Sequence, residues 1–457
     1  MEIKDIQAVY FVGAGGIGMS AIARYFIRKG LIVAGYDKTP SPLTHQLEKE
    51  GMLIHYEDNV DEIPHVCKNQ QSCLVVYTPA IPEDHQELQY FRNNGFEIQK
   101  RAQVLGTLTR THKGLCFAGT HGKTTTSTMC AHIMHQSHIE CNAFLGGISK
   151  NYSSNYILSD TSDYIVIEAD EFDRSFHWLR PWMSIITSTD PDHLDIYGTK
   201  EAYLESFRHY TTLIQPGGAL IIHQNLEMKA DVQEDVKVYD YSRDSGDFHA
   251  ENIKIENGTI TFDFISPIEN VLNVELGQPI SINIENGVAA MAMAQLNGCN
   301  EEELRYGMST YHGVDRRFDF KIKTDQHVLL SDYAHHPQEI FQSAKSIREL
   351  YQERKVTAIF QPHLYTRTRD FYKDFAKALS QLDEVILCDI YPAREQPIEG
   401  VTSELIYNEL TCKEKSIIHK EDVLDLVKQR DFDVLVILGA GDLDNYVTDM
   451  AKIIENK

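Results

Sequence analysis

Short apolar runs alternate with amphipathic stretches along most of this chain. At the start, the pattern predicts strands over residues 8–12 and 31–36, a helix over 19–29 between them, and strands at 74–77 and near 96–99. Strands that alternate with helices are typical of parallel sheets. We therefore predict a Rossmann-like N-terminal domain over residues 1–110.

The same alternation continues through the middle of the chain. It predicts strands at 115–118, 164–167, 184–187 and 219–222, helices over 124–136 and about 286–295, and a β-rich stretch around 253–264. We predict a central domain over residues 111–313, with a sheet of the kind found in P-loop ATPases.

A third set of apolar runs fills the last part of the chain. Strands are predicted at 328–330, 356–360, 384–388 and 433–438, with helical patterns between them. These elements predict a Rossmann-like C-terminal domain over residues 314–457. Domains usually contain roughly 100 to 200 residues, so a chain of 457 residues is long enough for three. The predicted fold class is α/β with three domains.

The charge balance is strongly acidic. Lys and Arg total 43 against 67 Asp and Glu, which gives a formal net charge of -24. This balance argues against nucleic acid or an anionic membrane as a partner. A nucleotide stays possible, because salt screens charges beyond about 8 Å and local cations decide its binding.

The cysteines and the apolar segments bear on the compartment. Eight cysteines are scattered with no C-x-x-C pair, so neither a zinc site nor a disulfide framework is indicated. No leader-like start is present, and no apolar stretch reaches the roughly 20 residues that cross a membrane. We expect a cytoplasmic protein without membrane insertion, either a monomer or a homodimer.

The first glycine-rich turn follows the first predicted strand. Gly13, Gly15, Gly16 and Gly18 fit the pattern G-x-G-x-x-G, and Asp37 ends the next strand. Taken alone, this pattern indicates NAD. The same backbone N–H groups can bind any diphosphate, including that of a nucleotide sugar. A tight turn without a ligand is the third interpretation.

A second glycine-rich turn opens the central domain, running Gly119-Thr120-His121-Gly122-Lys123-Thr124-Thr125. Lys123 can hold the β- and γ-phosphates of a nucleotide, and Thr124 can bind magnesium. The standard P-loop would need glycine where this chain has Phe117, so the turn is shorter. A helix cap without a nucleotide is the alternative.

Acidic residues follow two central strands. One cluster is Glu168-Ala169-Asp170-Glu171, and the other runs from Asp190 to Asp195 and includes His193. The carboxyl ends of parallel strands form ligand sites, and carboxylates there can hold Mg²⁺. His193 in the metal shell would suit Mn²⁺ better. Capping of the next helix is the alternative for these acids.

Further polar clusters lie in the last third of the chain. Arg316-Arg317-Phe318 and Asp332-Tyr333-Ala334-His335-His336-Pro337 suit phosphate binding or catalysis, and surface salt bridges are the alternative for the arginines. Other candidate polar residues are Asn283, Asn286, His363, Arg367 and Arg369. A plain helix cap is the alternative for the asparagines.

Taken together and in order, these motifs resemble the Mur ligases over nearly the whole chain. The resemblance implies that the first domain binds a UDP-sugar, the central domain binds ATP and the third domain brings an amino acid. It implies that the UDP-sugar contacts are Gly13, Gly15, Gly16, Gly18 and Asp37. The implied nucleotide contacts are Gly119, Thr120, His121, Gly122, Lys123, Thr124, Thr125, Asn283, Asn286, Arg317 and Asp332.

The resemblance also implies the metal and catalytic groups. Thr124, Glu168 and His193 would hold metal, and Lys123, Glu168, His193 and Arg317 would be catalytic. His336, His363 and Arg367 would bind the amino acid. Within the family, GAGGIGMS, GTHGKTT and DYAHHP are most like members that join L-alanine to UDP-N-acetylmuramate.

The implied activity is ATP-dependent ligation through an acyl phosphate, in the synthesis of peptidoglycan precursors, with Mg²⁺ or alternatively Mn²⁺. Three alternatives stay open. They are a recycling ligase that adds a whole tripeptide to the same UDP-sugar, an NAD-dependent oxidoreductase, and a catalytically silent nucleotide-binding regulator.

Overall fold

The structure is a computed structural model, and it describes residues 6–78, 81–192, 194–256, 259–315, 317–393 and 395–457. In those ranges the strands form four sheets. Close contacts divide the chain into two units. The first comprises residues up to Lys254 with Thr261–Gly277 and Ile284–His312, and the second consists mainly of Gln278–Asn283 and Gly313–Lys457.

The first sheet has five parallel strands in the order β3-β2-β1-β4-β5. Its elements are β1 Ala8–Val12, α1 Ile17–Arg28, β2 Ile32–Tyr36, α2 Pro42–Lys49, β3 Leu53–His55, β4 Cys73–Tyr77, α3 Gln86–Asn93, β5 Glu97–Lys100 and α4 Arg101–Thr111. β1 is buried along its whole length, as its continuous apolar sequence predicts. The first glycine turn directly follows β1, so it lies at the carboxyl edge of the sheet, at the middle strand.

The second sheet has seven strands in the order β12-β11-β10-β6-β9-β7-β8. Its strands pair in parallel except for the β7–β8 hairpin. Its elements are β6 Lys113–Ala118, α5 Lys123–Gln136, β7 Asn142–Ser149, β8 Ser154–Ile157, β9 Tyr164–Glu168, β10 Met183–Ile186, α6 Leu194–Tyr197, α7 Lys200–Thr211, β11 Ala219–His223 and β12 Lys237–Tyr241. β6 lies between β9 and β10, so the residues that follow these three strands meet at one edge.

A three-stranded sheet and two helices follow. They are β13 His249–Glu256, β14 Thr259–Ile265, β15 Val271–Glu275, α8 Ile282–Leu296 and α9 Glu301–Ser309. The β-rich stretch expected around 253–264 corresponds to the first two of these strands.

The second unit contains a six-stranded sheet in the order β16-β17-β21-β18-β19-β20. Only the β16–β17 pair among its described strands is antiparallel. Its elements are β16 Asp319–Lys323, β17 Val328–Asp332, α10 Pro337–Leu350, β18 Val356–Phe360, α11 Tyr365–Leu379, β19 Glu384–Leu387, α12 Glu404–Glu409, β20 Glu414–Ile417, α13 Val423–Gln429, β21 Val434–Leu438 and α14 Val447–Glu455.

The packing of β21 shows why this sheet has helices on both faces. Successive side chains of a strand point to opposite faces. Val434, Val436 and Leu438 belong to one apolar core, and Leu435 and Ile437 belong to another. The predicted α/β fold class is confirmed, while the exact domain boundaries near residues 110 and 313 stay predictions.

Candidate active site

The central glycine turn joins β6 to α5, and its geometry needs glycine. Gly119 has φ of +135°, and Gly122 has φ of +82° at the N-cap of α5. A Cβ on Gly119 would lie 2.1 Å from Oγ1 of Thr187. The N–H of Thr120 donates to the carbonyl of Ser188 at 3.1 Å, which fixes the turn against the residues that follow β10.

Lys123 is the first residue of α5, and its ammonium is enclosed by oxygen atoms. It donates to the carbonyls of Gly119 at 2.5 Å and Thr120 at 3.3 Å, and lies 2.8 Å from the Glu171 carboxylate. Burial lowers the pKa of Lys123, but the negative charges of Glu171 and Glu168 outweigh burial and hold that pKa above its usual value. Burial raises the pKa of the Glu171 carboxyl and the charge of Lys123 opposes that rise, so the 2.8 Å geometry makes Glu171 the internal carboxyl partner of this buried cation.

Thr124 and Glu168 meet as the sequence predicts. The Thr124 hydroxyl lies 2.9 and 3.1 Å from the two carboxylate oxygens of Glu168, the last residue of β9. β9 pairs with β6, which leads into the glycine turn, so adjacent strands deliver the two side chains. A Cβ on Gly146 of β7 would lie 2.1 Å from a Glu168 carboxylate oxygen, so glycine there makes room for that carboxylate.

These two side chains fit a magnesium ion that also binds a nucleotide. Within the described ranges, no group of three or more His, Cys, Asp or Glu is placed to hold a metal by itself. Mg²⁺ in nucleotide sites uses one or two protein oxygens, waters and the phosphates, so a hydroxyl and one carboxylate suffice. The predicted metal ligand His193 lies outside the described residues, as does Arg316.

The other residues of the central glycine turn contact the segment after β10 or begin α5. The His121 ring lies 3.6 Å from the Asp190 carboxylate, and the Thr120 hydroxyl donates to the carbonyl of Asp190 at 2.8 Å. Thr125 is half-buried in the first turn of α5. Asn286 is hydrogen-bonded to the Thr126 hydroxyl at 3.2 Å, which brings this predicted nucleotide contact to the same helix.

A cavity of about 940 Å³ runs within the first unit from the first glycine turn to Glu168. Its walls include Gly13, Gly16, Gly18, Asp37, Arg101, Phe144, Gly146, Glu168 and Asp170. A pocket of this volume accommodates a ligand as large as a nucleotide sugar. The cavity therefore connects the predicted diphosphate turn directly to the predicted metal carboxylate.

The first glycine turn is organised by Asp37. The carboxylate of Asp37 accepts a hydrogen bond from the N–H of Gly15 at 2.6 Å, and Gly13 has φ of +92°. Gly15 packs against Asp37 and does not line the cavity, whereas Gly16 is the N-cap of α1 and has no side-chain cap. The first N–H groups of α1 suit an anionic group at this end of the cavity.

In the second unit, Arg317 and Asp332 belong to one polar cluster. The Arg317 guanidinium lies 3.8 Å from the Glu339 carboxylate and 5.0 Å from the centroid of the Tyr333 ring. Asp332 ends β17 and accepts a hydrogen bond from Ser343. Burial raises the pKa of Asp332.

The predicted amino-acid residues lie close to this cluster. The ring of His335 lies 5.8 Å from that of His363, and the His336 ring lies 5.3 Å from Phe371. Burial lowers the pKa of His335, and the positive charge of Arg367 lowers it further. His336, His363 and Arg367 therefore belong to one part of the second unit.

Asn283 has a different environment from Asn286. Its side-chain amide donates to Gln278 at 3.1 Å, and Gln278 donates to the carbonyls of Arg317 and Phe318 at 3.3 and 3.2 Å. Asn283 belongs to the second unit and Asn286 to the first. Both asparagines lie in the first turns of α8, three residues apart.

Three residues of the site were not selected from the sequence. Glu171 stood in the acidic cluster, but a buried pair with Lys123 has no local pattern. Arg101 lines the cavity 3.5 Å from Asp170, and it starts a helix that carried no motif. Gly146 lies in a strand that the apolar pattern did not predict.

Comparisons with known proteins agree with this geometry. Family models match in chain order: the Mur ligase family catalytic domain over residues 8–113, the Mur ligase middle domain over 117–294, and the Mur ligase glutamate ligase domain over 316–441. The three matches confirm the predicted three-domain architecture.

Similar proteins and structures cover nearly the whole chain. UDP-N-acetylmuramate--L-alanine ligases from Phocaeicola vulgatus and Parabacteroides distasonis are 64% and 60% identical, over 100% and 99% of this chain and 100% and 98% of their own lengths. The UDP-N-acetylmuramate-alanine ligase structure from Thermotoga maritima has a TM-score of 0.80 at 25% identity, covering 98% of this chain and 99% of that one. The protein belongs to the Mur ligase family, as its motifs predicted.

Proposed function

We propose that this protein joins L-alanine to the lactyl carboxylate of UDP-N-acetylmuramate, with ATP as the energy source. One observation carries the proposal. The cavity that begins at the first glycine turn ends at Glu168, whose carboxylate is hydrogen-bonded to Thr124 of the second turn. A UDP-sugar in this cavity would present its carboxylate beside a nucleotide's terminal phosphate. The names of the similar ligases support this choice of substrates.

The first step transfers the γ-phosphoryl group. A carboxylate oxygen of the sugar substrate attacks the γ-phosphorus, the bond to the β-phosphate oxygen breaks, and ADP leaves with that electron pair. Positioning and charge neutralisation supply most of the catalysis in such a transfer. Lys123 supplies a positive charge to the phosphates, and Thr124 and Glu168 supply oxygen ligands for magnesium. When bound, Mg²⁺ neutralises charge that develops on the phosphate oxygens.

The second step forms the amide bond. The amine of L-alanine attacks the carbonyl carbon, phosphate leaves with the bridging oxygen, and the amine loses its surplus proton. We assign the amino acid to His336, His363 and Arg367. In this proposal the nucleotide is contacted by Arg317 and Asp332, and its adenine is contacted by Asn283 and Asn286.

The donor atoms of the site indicate which metal it binds. Hard oxygen donors such as the Thr124 hydroxyl and the Glu168 carboxylate favour Mg²⁺, and Mn²⁺ is the alternative if His193 also binds metal. We place the reaction in the cytoplasm, where ATP is supplied. In the part of the chain that the structure describes, no helix is long and apolar enough to cross a membrane.

The alternatives make different predictions for the same cavity. Solved murein peptide ligases share the fold at 20 and 21% identity, so a tripeptide is the competing amine substrate. The oxidoreductase alternative assigns no role to Lys123, Thr124 and Glu168. A silent regulator would bind ATP without releasing phosphate.

A substrate panel tests the proposal. Purified protein with ATP, Mg²⁺ and UDP-N-acetylmuramate should release phosphate with L-alanine and much less with the tripeptide. The Lys123→Ala variant should turn over several hundred-fold more slowly, since one charge-stabilising group contributes about 3 to 4 kcal/mol. Phosphate release with the tripeptide alone would instead favour the recycling reaction. Near-normal turnover of Lys123→Ala would contradict the assignment of the central glycine turn to the nucleotide's phosphates.

A further inference from the structure

The ion pair between Lys123 and Glu171 lies inside the protein. The two charged groups are 2.8 Å apart, and their side chains are only 13% and 3% exposed. The backbone of Glu171 is also fixed, because its carbonyl accepts hydrogen bonds from the Tyr197 hydroxyl at 2.5 Å and the Arg174 N–H at 3.0 Å. Glu171 is therefore held in place beside the phosphate-binding lysine.

A buried cation needs an anion, because an unpaired charge in the protein interior is costly. Lys123 has one in Glu171. A bound triphosphate would offer the same ammonium a second anion, and it would place its own negative charge near the Glu171 carboxylate. The two anions repel each other and compete for one cation.

We propose that Glu171 is a positioning residue that competes with the nucleotide's phosphates for Lys123 and thereby promotes product release. This inference rests on the proposed function, since it takes Lys123 as the phosphate-binding cation. When ADP and phosphate leave, the ion pair between Glu171 and the Lys123 ammonium forms again, and the glycine turn keeps the conformation that binds the next ATP. Competition from Glu171 also lowers the affinity for the nucleotide.

The sign of the effect distinguishes this role from a structural one. Damage to the glycine turn would weaken nucleotide binding. Loss of a competing anion should strengthen it, because the paired state of the free enzyme loses its stabilisation and the bound state loses a repulsion. Product release should then be slower, so kcat and the KM for ATP should fall together.

The test measures binding of ADP and of a nonhydrolysable ATP analogue, each with Mg²⁺, to full-length variants. Glu171→Gln should bind both nucleotides about tenfold more tightly than the wild type. Glu171→Asp, which keeps the charge at a shorter reach, should show an intermediate gain of about threefold. Unchanged or weaker binding in either variant would overturn the inference, so it stays testable if only one of them folds.

A matched control removes another buried carboxylate from an ion pair. Glu384 of β19 is 5% exposed on its side chain and pairs with Arg430 at 2.7 Å. Glu384→Gln should lower stability without changing nucleotide affinity. Wild-type turnover with L-alanine is measured in parallel, and its absence would count against the proposed function while leaving the binding comparison to decide the role of Glu171.

Discussion

The Gly146→Ala variant tests whether activity requires the Glu168 carboxylate at its present position. The glycine lies in β7 on the wall of the cavity. A methyl group added there would lie 2.1 and 2.9 Å from the two carboxylate oxygens of Glu168 and 2.7 Å from its carboxyl carbon. Gly146→Ala should therefore push the carboxylate away from Thr124.

The cost of this change should fall on activity more than on stability. The atoms that clash are the far end of a flexible side chain, and moving Glu168 off its preferred rotamer costs about 1 kcal/mol. The hydrogen bonds to Thr124, at 2.9 and 3.1 Å, would be lost along with the metal position. A misplacement of about 1 Å in a catalytic group can lower the rate about 100-fold.

The assay compares phosphate release at saturating substrates with the thermal midpoint of unfolding. We expect Gly146→Ala to lower kcat about 100-fold and to leave most of the stability. Gly287→Ala is the matched control, because its added methyl group would lie 2.9 Å from a flexible methionine end, that of Met308. It should keep near-normal kcat. A kcat for Gly146→Ala within about threefold of the wild type would refute the reasoning that Glu168 is rigidly required.

Three further predictions concern other parts of the first unit. Asn155 is fully buried and makes three hydrogen bonds with α1, so Asn155→Ala should lower the free energy of unfolding by about 2 to 3 kcal/mol and raise the KM for UDP-N-acetylmuramate. Gly119→Ala would place a methyl group 2.1 Å from Thr187, and calorimetric titration should show nucleotide affinity reduced at least about tenfold. Burial raises the pKa of Glu87 to about 7 from 4.5, so the folded state holds a proton that the unfolded state releases in this window. The free energy of unfolding should therefore fall as the pH rises from 4.5 through 7. Urea unfolding should show that the Glu87→Gln variant loses about 3 kcal/mol less of this free energy over that window than the wild type does.

The sequence predicted the parts of the site that follow from strand order. Thr124 and Glu168 come directly after the glycine turn and at the end of an apolar strand, so parallel pairing of β6 with β9 brings them to one edge. The first glycine turn and Asp37 were placed by the same argument. In each case a local motif and a general rule of α/β sheets were enough.

Contacts that depend on particular backbone turns were not predictable. Glu171 lies 2.8 Å from Lys123 in the irregular segment after β9, where Asp173 and Arg174 adopt φ of +52° and +54° and the Arg174 N–H donates to the Glu171 carbonyl at 3.0 Å. Neither residue is a glycine that would have marked the turn. Gly146 lies in the β7 hairpin, whose consecutive glycines break the alternation that identifies a strand.

The fate of labelled oxygen is the measurement that addresses the chemistry itself. UDP-N-acetylmuramate carrying ¹⁸O in both lactyl carboxylate oxygens would be ligated to L-alanine with unlabelled ATP in unlabelled water. If the carboxylate attacks the γ-phosphorus, one ¹⁸O should appear in the inorganic phosphate of each turnover and the other should stay in the amide. Label in AMP, or phosphate without label, would contradict the account.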